Sequence, residues 1–143
     1  MIRSVLCLVC NNILVDPRSP LLTTVHLFDS FIPPAYPVQI MTCFVVALER
    51  DLTDVDSFEG IFTVTLNEEV VLSEPMVVNF AGSRFARSAR LYLPLEVLRP
   101  CEARFSLTHG NTRIASYGFS FFPVPLTAPE FASDLKPPTP WMH

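Results

Sequence analysis

The groups in this sequence that can do chemistry are fourteen carboxylates, ten basic side chains, four cysteines and three histidines. The densest constellation is Glu49-Arg-Asp51-Leu-Thr-Asp54-Val-Asp56-Ser-Phe-Glu59, which crowds Asp51, Asp54, Asp56 and Glu59 into one connection between strands. Sandwich domains that dock on lipid headgroups or carbohydrate build Ca²⁺ sites from oxygen ligands in such end loops, so Asp51, Asp54 and Asp56 are the candidate ligands. Ca²⁺ takes about six to eight oxygens and usually a second loop, and only Asp29 or Asp16 stands where it could help. The plainer expectation is a solvated acidic loop.

Arg84, Arg87 and Arg90 form the one basic cluster. A spacing of three gathers them only on a helical turn; in a strand Arg87 faces away from the other two. Gathered, they would hold an anionic group or an acidic partner surface. Surface pairing with nearby carboxylates is the simpler reading.

Cys7-Leu-Val-Cys10 has the C-x-x-C form, but a structural zinc site needs four ligands, and Cys43 and Cys101 stand alone in the sequence. Strand positions three apart point to opposite faces, so Cys7 and Cys10 are not expected to converge. His26 lies among apolar neighbours, His109 beside a turn, and His143 ends the chain. No motif brings a base, an orienting carboxylate and a nucleophile together, and no glycine loop cradles phosphate. The expectation is a protein that is not an enzyme and carries no cofactor, with Ca²⁺ as the one candidate ion.

These groups need a scaffold, and the composition describes it. The 143 residues are half hydrophobic with a mean hydropathy of +0.37, yet Pro, Asp, Glu or Arg interrupts every apolar run before it reaches membrane-spanning length. With no export signal recognisable at the start, reduced thiols and a cytoplasmic location are expected. Net charge is −4, so no broad positive field exists to hold nucleic acid.

Val, Ile, Phe, Thr and Leu dominate, fourteen prolines punctuate them, and no long window repeats at helical spacing. Eight strands are predicted: 3–9 with a continuation through 13–15, then 21–28, 40–49, 60–66, 70–80, 88–93, 102–108 and 112–122. Gly110-Asn111 supplies a hairpin turn, Asn67-Glu68-Glu69 a longer one, and Pro75 belongs at an edge or a bulge. Phe31 to Pro37 reads as a proline-held loop that crosses between sheets.

The fold class is therefore all-β, a single antiparallel sandwich of seven to nine strands with C2-like or immunoglobulin-like topology, over residues 1–124. Residues 125–143 form a proline-rich tail with Trp141, the only tryptophan, beside Pro138. A polyproline stretch with an aromatic anchor suits capture in a groove, so Pro138 and Trp141 are candidate partner-binding residues along with the three arginines.

Several stretches together resemble a large family of short, uncharacterised bacterial proteins catalogued as a domain of unknown function. They are Val5-Leu-Cys-Leu-Val-Cys-Asn11, Leu21-Leu22 through Phe28, Pro33-Pro-Ala-Tyr-Pro37 leading into Met41 to Leu48, Leu93-Pro-Leu-Glu-Val-Leu98, Ala103-Arg-Phe-Ser-Leu107, Gly110-Asn111 and Phe119 to Val124. The resemblance implies a sandwich and transfers no catalytic residue. Together these readings point to a binding or assembly module that takes a protein partner or a second copy of itself.

Overall fold

Alternating apolar and polar side chains rich in β-branched residues build strands, and no helix forms among the described residues. The computed structural model describes residues 1–15 and 22–124. Its strands are β1 (Arg3–Val15), β2 (Leu22–Leu27), β3 (Ser30–Phe31), β4 (Val38–Glu49), β5 (Ser57–Leu66), β6 (Glu69–Asn79), β7 (Phe85–Val97), β8 (Cys101–His109) and β9 (Thr112–Phe121). Four make one sheet in the order β2-β1-β4-β7, and five make the other in the order β3-β9-β8-β5-β6.

All pairings are antiparallel except one. The two-residue β3 runs parallel to β9, with Ser30 opposite Ser120 and Phe31 opposite Phe121. This corrects the purely antiparallel expectation, and the cause is local. The chain leaves β2 through Phe28 and Asp29, reaches the open edge of β9, and satisfies backbone groups there: Ser120 N–H donates to Asp29 O (3.4 Å) and Phe122 N–H to Phe31 O (2.9 Å).

Both predicted hairpins form. Gly110 takes φ +60° in a two-residue turn between β8 and β9, the left-handed conformation that a residue without Cβ adopts freely. The β5–β6 turn is shorter than the sequence suggested: Asn67 (φ 47°) and Glu68 (φ 68°) alone form it, and Glu69 already belongs to β6. Asn67 is anchored to β8, its N–H donating to Glu102 O and its Oδ1 accepting from Glu102 N–H, each at 2.9 Å. Pro75 lies in the edge strand β6, where a missing donor is tolerated.

One core lies between the sheets. Val9, Phe44, Val46 and Leu48 enter it from the four-stranded sheet, and Phe62, Val64, Phe105, Leu107 and Phe119 from the five-stranded one. Phe44 meets Phe62 with ring centres 5.0 Å apart, and Phe28 stacks on Phe119 at 5.2 Å. One side is closed where β7 approaches β6: Arg90 pairs with Glu74, and Ser88 Oγ donates to Val77 O (3.3 Å). The tail residues Pro138 and Trp141, like all of 125–143, lie outside the described residues.

Candidate interaction surface

The acidic loop does not present its carboxylates to solvent as a set. Arg50 is only 5% exposed, and its guanidinium reaches three groups of two loops: Nε donates to Ser83 O (2.8 Å), Nη1 to Asp54 O (3.0 Å), and Nη2 pairs with Asp56 Oδ1 (3.1 Å). It also lies over the Phe80 ring, 5.2 Å from the centre. Asp56 Oδ1 further accepts the Gly82 N–H at 2.7 Å. The β4–β5 and β6–β7 loops are thus tied together by one desolvated cation whose donors are met.

Asp51 and Asp54 turn elsewhere, onto the amino-terminal ammonium of Met1. That hydrogen bonding holds both carboxyls below their ordinary range and raises the ammonium above its own. Asp51 and Asp54 therefore share one cationic group while Asp56 serves Arg50. Among the described residues no group of three or more His, Cys, Asp or Glu side chains is arranged to hold a metal ion.

The three arginines do not gather, but strand alternation alone does not divide them as expected: Arg84 precedes β7 and reaches outward Glu49 on the face of Arg87, and Arg90 is the one turned inward. Arg84 Nε pairs with Glu49 Oε1 at 2.9 Å, and Arg3 Nη2 with Glu49 Oε2 at the same distance. Arg90 turns inward to Glu74, opposite Phe44 in the register, while Arg87 stands opposite Ala47 on the other face. Trp141 and Pro138 cannot be placed beside them, since they fall outside the described residues; so does the side chain of His26. His109 is partly buried and stacks on Phe58 at 4.3 Å, which makes it a packing residue of the hairpin.

What the sequence does not announce is the contrast between the two outward faces. Residues opposite one another in a ladder share a face. On the four-stranded sheet the outward rows read Leu6–Ala47–Arg87, Leu8–Val45–Ala89 and Arg3–Glu49–Phe85. Leu6 (46% exposed), Phe85 (57%), Met41 (43%) and Leu91 (40%) surround a small buried cluster of Cys10, Ile13, Cys43 and Val45. This face carries an apolar run with Arg87 within its rows and the charge cluster Arg3–Glu49–Arg84 at its end.

On the five-stranded sheet the outward rows read Ser73–Thr63–Ser106–Ser116 and Thr65–Arg104–Gly118. Arg104 lies across β9, Nη1 donating to Ser116 Oγ (2.7 Å), and Gly118 makes room, since a Cβ there would come within 3.0 Å of Nη2. An open cleft of about 690 Å³ runs beside it, lined by Thr65, Asn67, Glu102, Arg104, Arg113 and Ser120 among others. Its surface is hydroxylic and carries both charges.

The cysteines are all thiols. Cys7 packs against the core between the sheets, and burial pushes its thiol up to about 11, while Cys10 belongs to the outward cluster; the C-x-x-C pair is split between faces. No helix among the described residues is long and apolar enough to cross a membrane. No family model, no curated protein and no solved structure matches this chain.

Proposed function

We propose that this chain is a non-catalytic interaction or assembly module, a β-sandwich in the C2-like or immunoglobulin-like manner, that engages a protein partner or a second copy of itself through the outer face of the four-stranded sheet. The observation that carries the reading is the run of exposed Leu6, Phe85, Ala89, Leu91 and Met41 around an already buried apolar patch. A contiguous apolar patch with a charged margin is the usual character of a recognition surface, because covering it releases water from apolar area. Arg3, Glu49 and Arg84 at the margin supply register to whatever covers it. Four thiols and the resemblance to a bacterial sandwich family suit a role in the cytoplasm.

The test uses the full chain and a Leu6→Asp/Phe85→Asp variant, compared by sedimentation velocity across a concentration series and by affinity capture from host lysate. The reading expects the wild type to self-associate or retain a partner, and the double variant to lose that interaction while melting as a folded protein. An interaction that survives in the variant, or a wild type that neither associates nor captures anything, overturns it.

A further inference from the structure

The four-stranded sheet sets two thiols directly against each other. Cys10 of β1 and Cys43 of β4 are Cα partners in the antiparallel ladder, and both are fully buried in the outward cluster. Ladder partners in antiparallel sheets stand about 4.5–5.5 Å apart at Cα, inside the range of about 4.4–6.8 Å that a disulfide spans. Each sulfur already reaches across: Cys10 Sγ lies 3.8 Å from Cys43 O, and Cys43 Sγ lies 3.8 Å from Asn11 O.

The neighbouring strand adds a donor. Between Thr42↔Leu93 and Phe44↔Arg90 the register slips, leaving Leu91 and Tyr92 opposite Cys43. Tyr92 sits at φ +52°, and its backbone N–H points at Cys43 Sγ from 3.5 Å.

We infer that Cys10 and Cys43 are a redox pair that closes to a cross-strand disulfide when a peroxide reaches the sheet. One of the two sulfurs, as its thiolate, displaces hydroxide from hydrogen peroxide, giving a sulfenic acid and, after proton uptake, water. The facing thiol then attacks the sulfenic sulfur, and the second oxygen leaves as water while the S–S bond forms. Two thiols are oxidised by two electrons in total and one peroxide is reduced. A small oxidant suits a pair with no exposed surface. Cys7 is a poor competitor, because it lies on the other face of β1, against the core between the sheets and away from both sulfurs.

The experiment treats the full chain with hydrogen peroxide, blocks remaining thiols under denaturing conditions, and reads intact mass and tryptic peptides. Trypsin leaves Cys7 and Cys10 in residues 4–18 and Cys43 in residues 19–50, so the bridge joins two peptides. The expected result is a loss of two hydrogens and the joined 4–18/19–50 species, retained in Cys7→Ser and Cys101→Ser and absent in Cys10→Ser. The joined species in Cys7→Ser, where Cys10 is the one thiol left in residues 4–18, answers the question even where Cys10→Ser folds poorly. A bridge confined to 4–18, a joined species that Cys7→Ser abolishes, or oxidation that stops at sulfinic acid on Cys43 overturns the assignment.

Discussion

The two outward faces rest on one core and differ in what fills their central rows, although the five-stranded sheet also exposes Ile61, Val71 and Val77 toward its β6 edge. The five-stranded sheet turns out Ser73, Thr63, Ser106 and Ser116 in a single row, with Arg104 folded over Gly118, so water and internal hydrogen bonds satisfy it. The four-stranded sheet turns out Leu6, Ala47, Ala89 and Phe85 and buries Cys10, Cys43 and Val45 on that side. An antiparallel sheet needs only one apolar face to make a core. The apolar run on the outer face of the four-stranded sheet is in excess of what folding requires, and that excess is the physical reason for the recognition role proposed for it.

The largest effect tests the shared foundation. Phe62 is fully buried against Phe44 and Phe105, so Phe62→Ala is expected to cost about 3–5 kcal/mol, read as a shift in urea midpoint. Both faces depend on this ring equally; a cost below about 1 kcal/mol would mean the sheets do not rely on a common core. Next in size is Arg50→Met. It removes the donors that meet Ser83 O, Asp54 O and Asp56, and is expected to cost about 2–3 kcal/mol, with faster proteolysis in loops 50–56 and 80–84. The outer faces should keep their behaviour, because the tie lies at the loop end of the molecule.

The contrast itself is tested by placing a charge on each face in turn. Thr63→Asp on the hydroxyl row and Phe85→Asp on the apolar face are both at exposed or half-buried positions, and each should change stability by about 1 kcal/mol or less. Only Phe85→Asp is expected to abolish association, measured by sedimentation. Equal effects from both would dissolve the distinction between the faces.

Much of this architecture was legible in the residues. Alternation located eight of the nine strands, Gly110 announced its turn, and the edge position of Pro75 followed from its missing N–H. The missed strand, Ser30–Phe31, is two residues long and borrows its pairing from β9, ninety positions away, so no local pattern marks it. The acidic loop was legible as a cluster but not as a set of engagements. Arg50 reads as one more charged residue among Asp51, Asp54 and Asp56, and its burial is decided by Ser83 and Phe80, which the sequence places thirty residues downstream. The outward row of Leu6, Ala47 and Arg87 is likewise invisible until the register across three strands is known. The opposition of Cys10 and Cys43 has the same origin.

The smallest expected effect concerns Asp51 and Asp54. Their carboxyls are held below the ordinary value of 3.8 by the Met1 ammonium, so their contribution to stability is present above that value and is lost as pH falls through the lowered one. The ammonium is raised above 8.0, so its share is present below pH 8 and is lost as pH rises through the raised value. Cys7, raised from 9.0 to about 11, weakens the fold over that alkaline interval, since the unfolded thiol ionises first. Met1 and Asp51 are exposed and Asp54 is half-buried at the surface, so water screens the cluster. Asp51→Asn/Asp54→Asn is therefore expected to lower the melting temperature slightly at neutral pH and to match the wild type at the acid end. Ca²⁺ must displace the ammonium from these carboxylates before it can bind. With that contact formed, added Ca²⁺ should leave the wild-type melting temperature unchanged. A rise that the double Asn variant abolishes would return the loop to the role of a calcium site and move the recognition surface from the apolar face to the loop end.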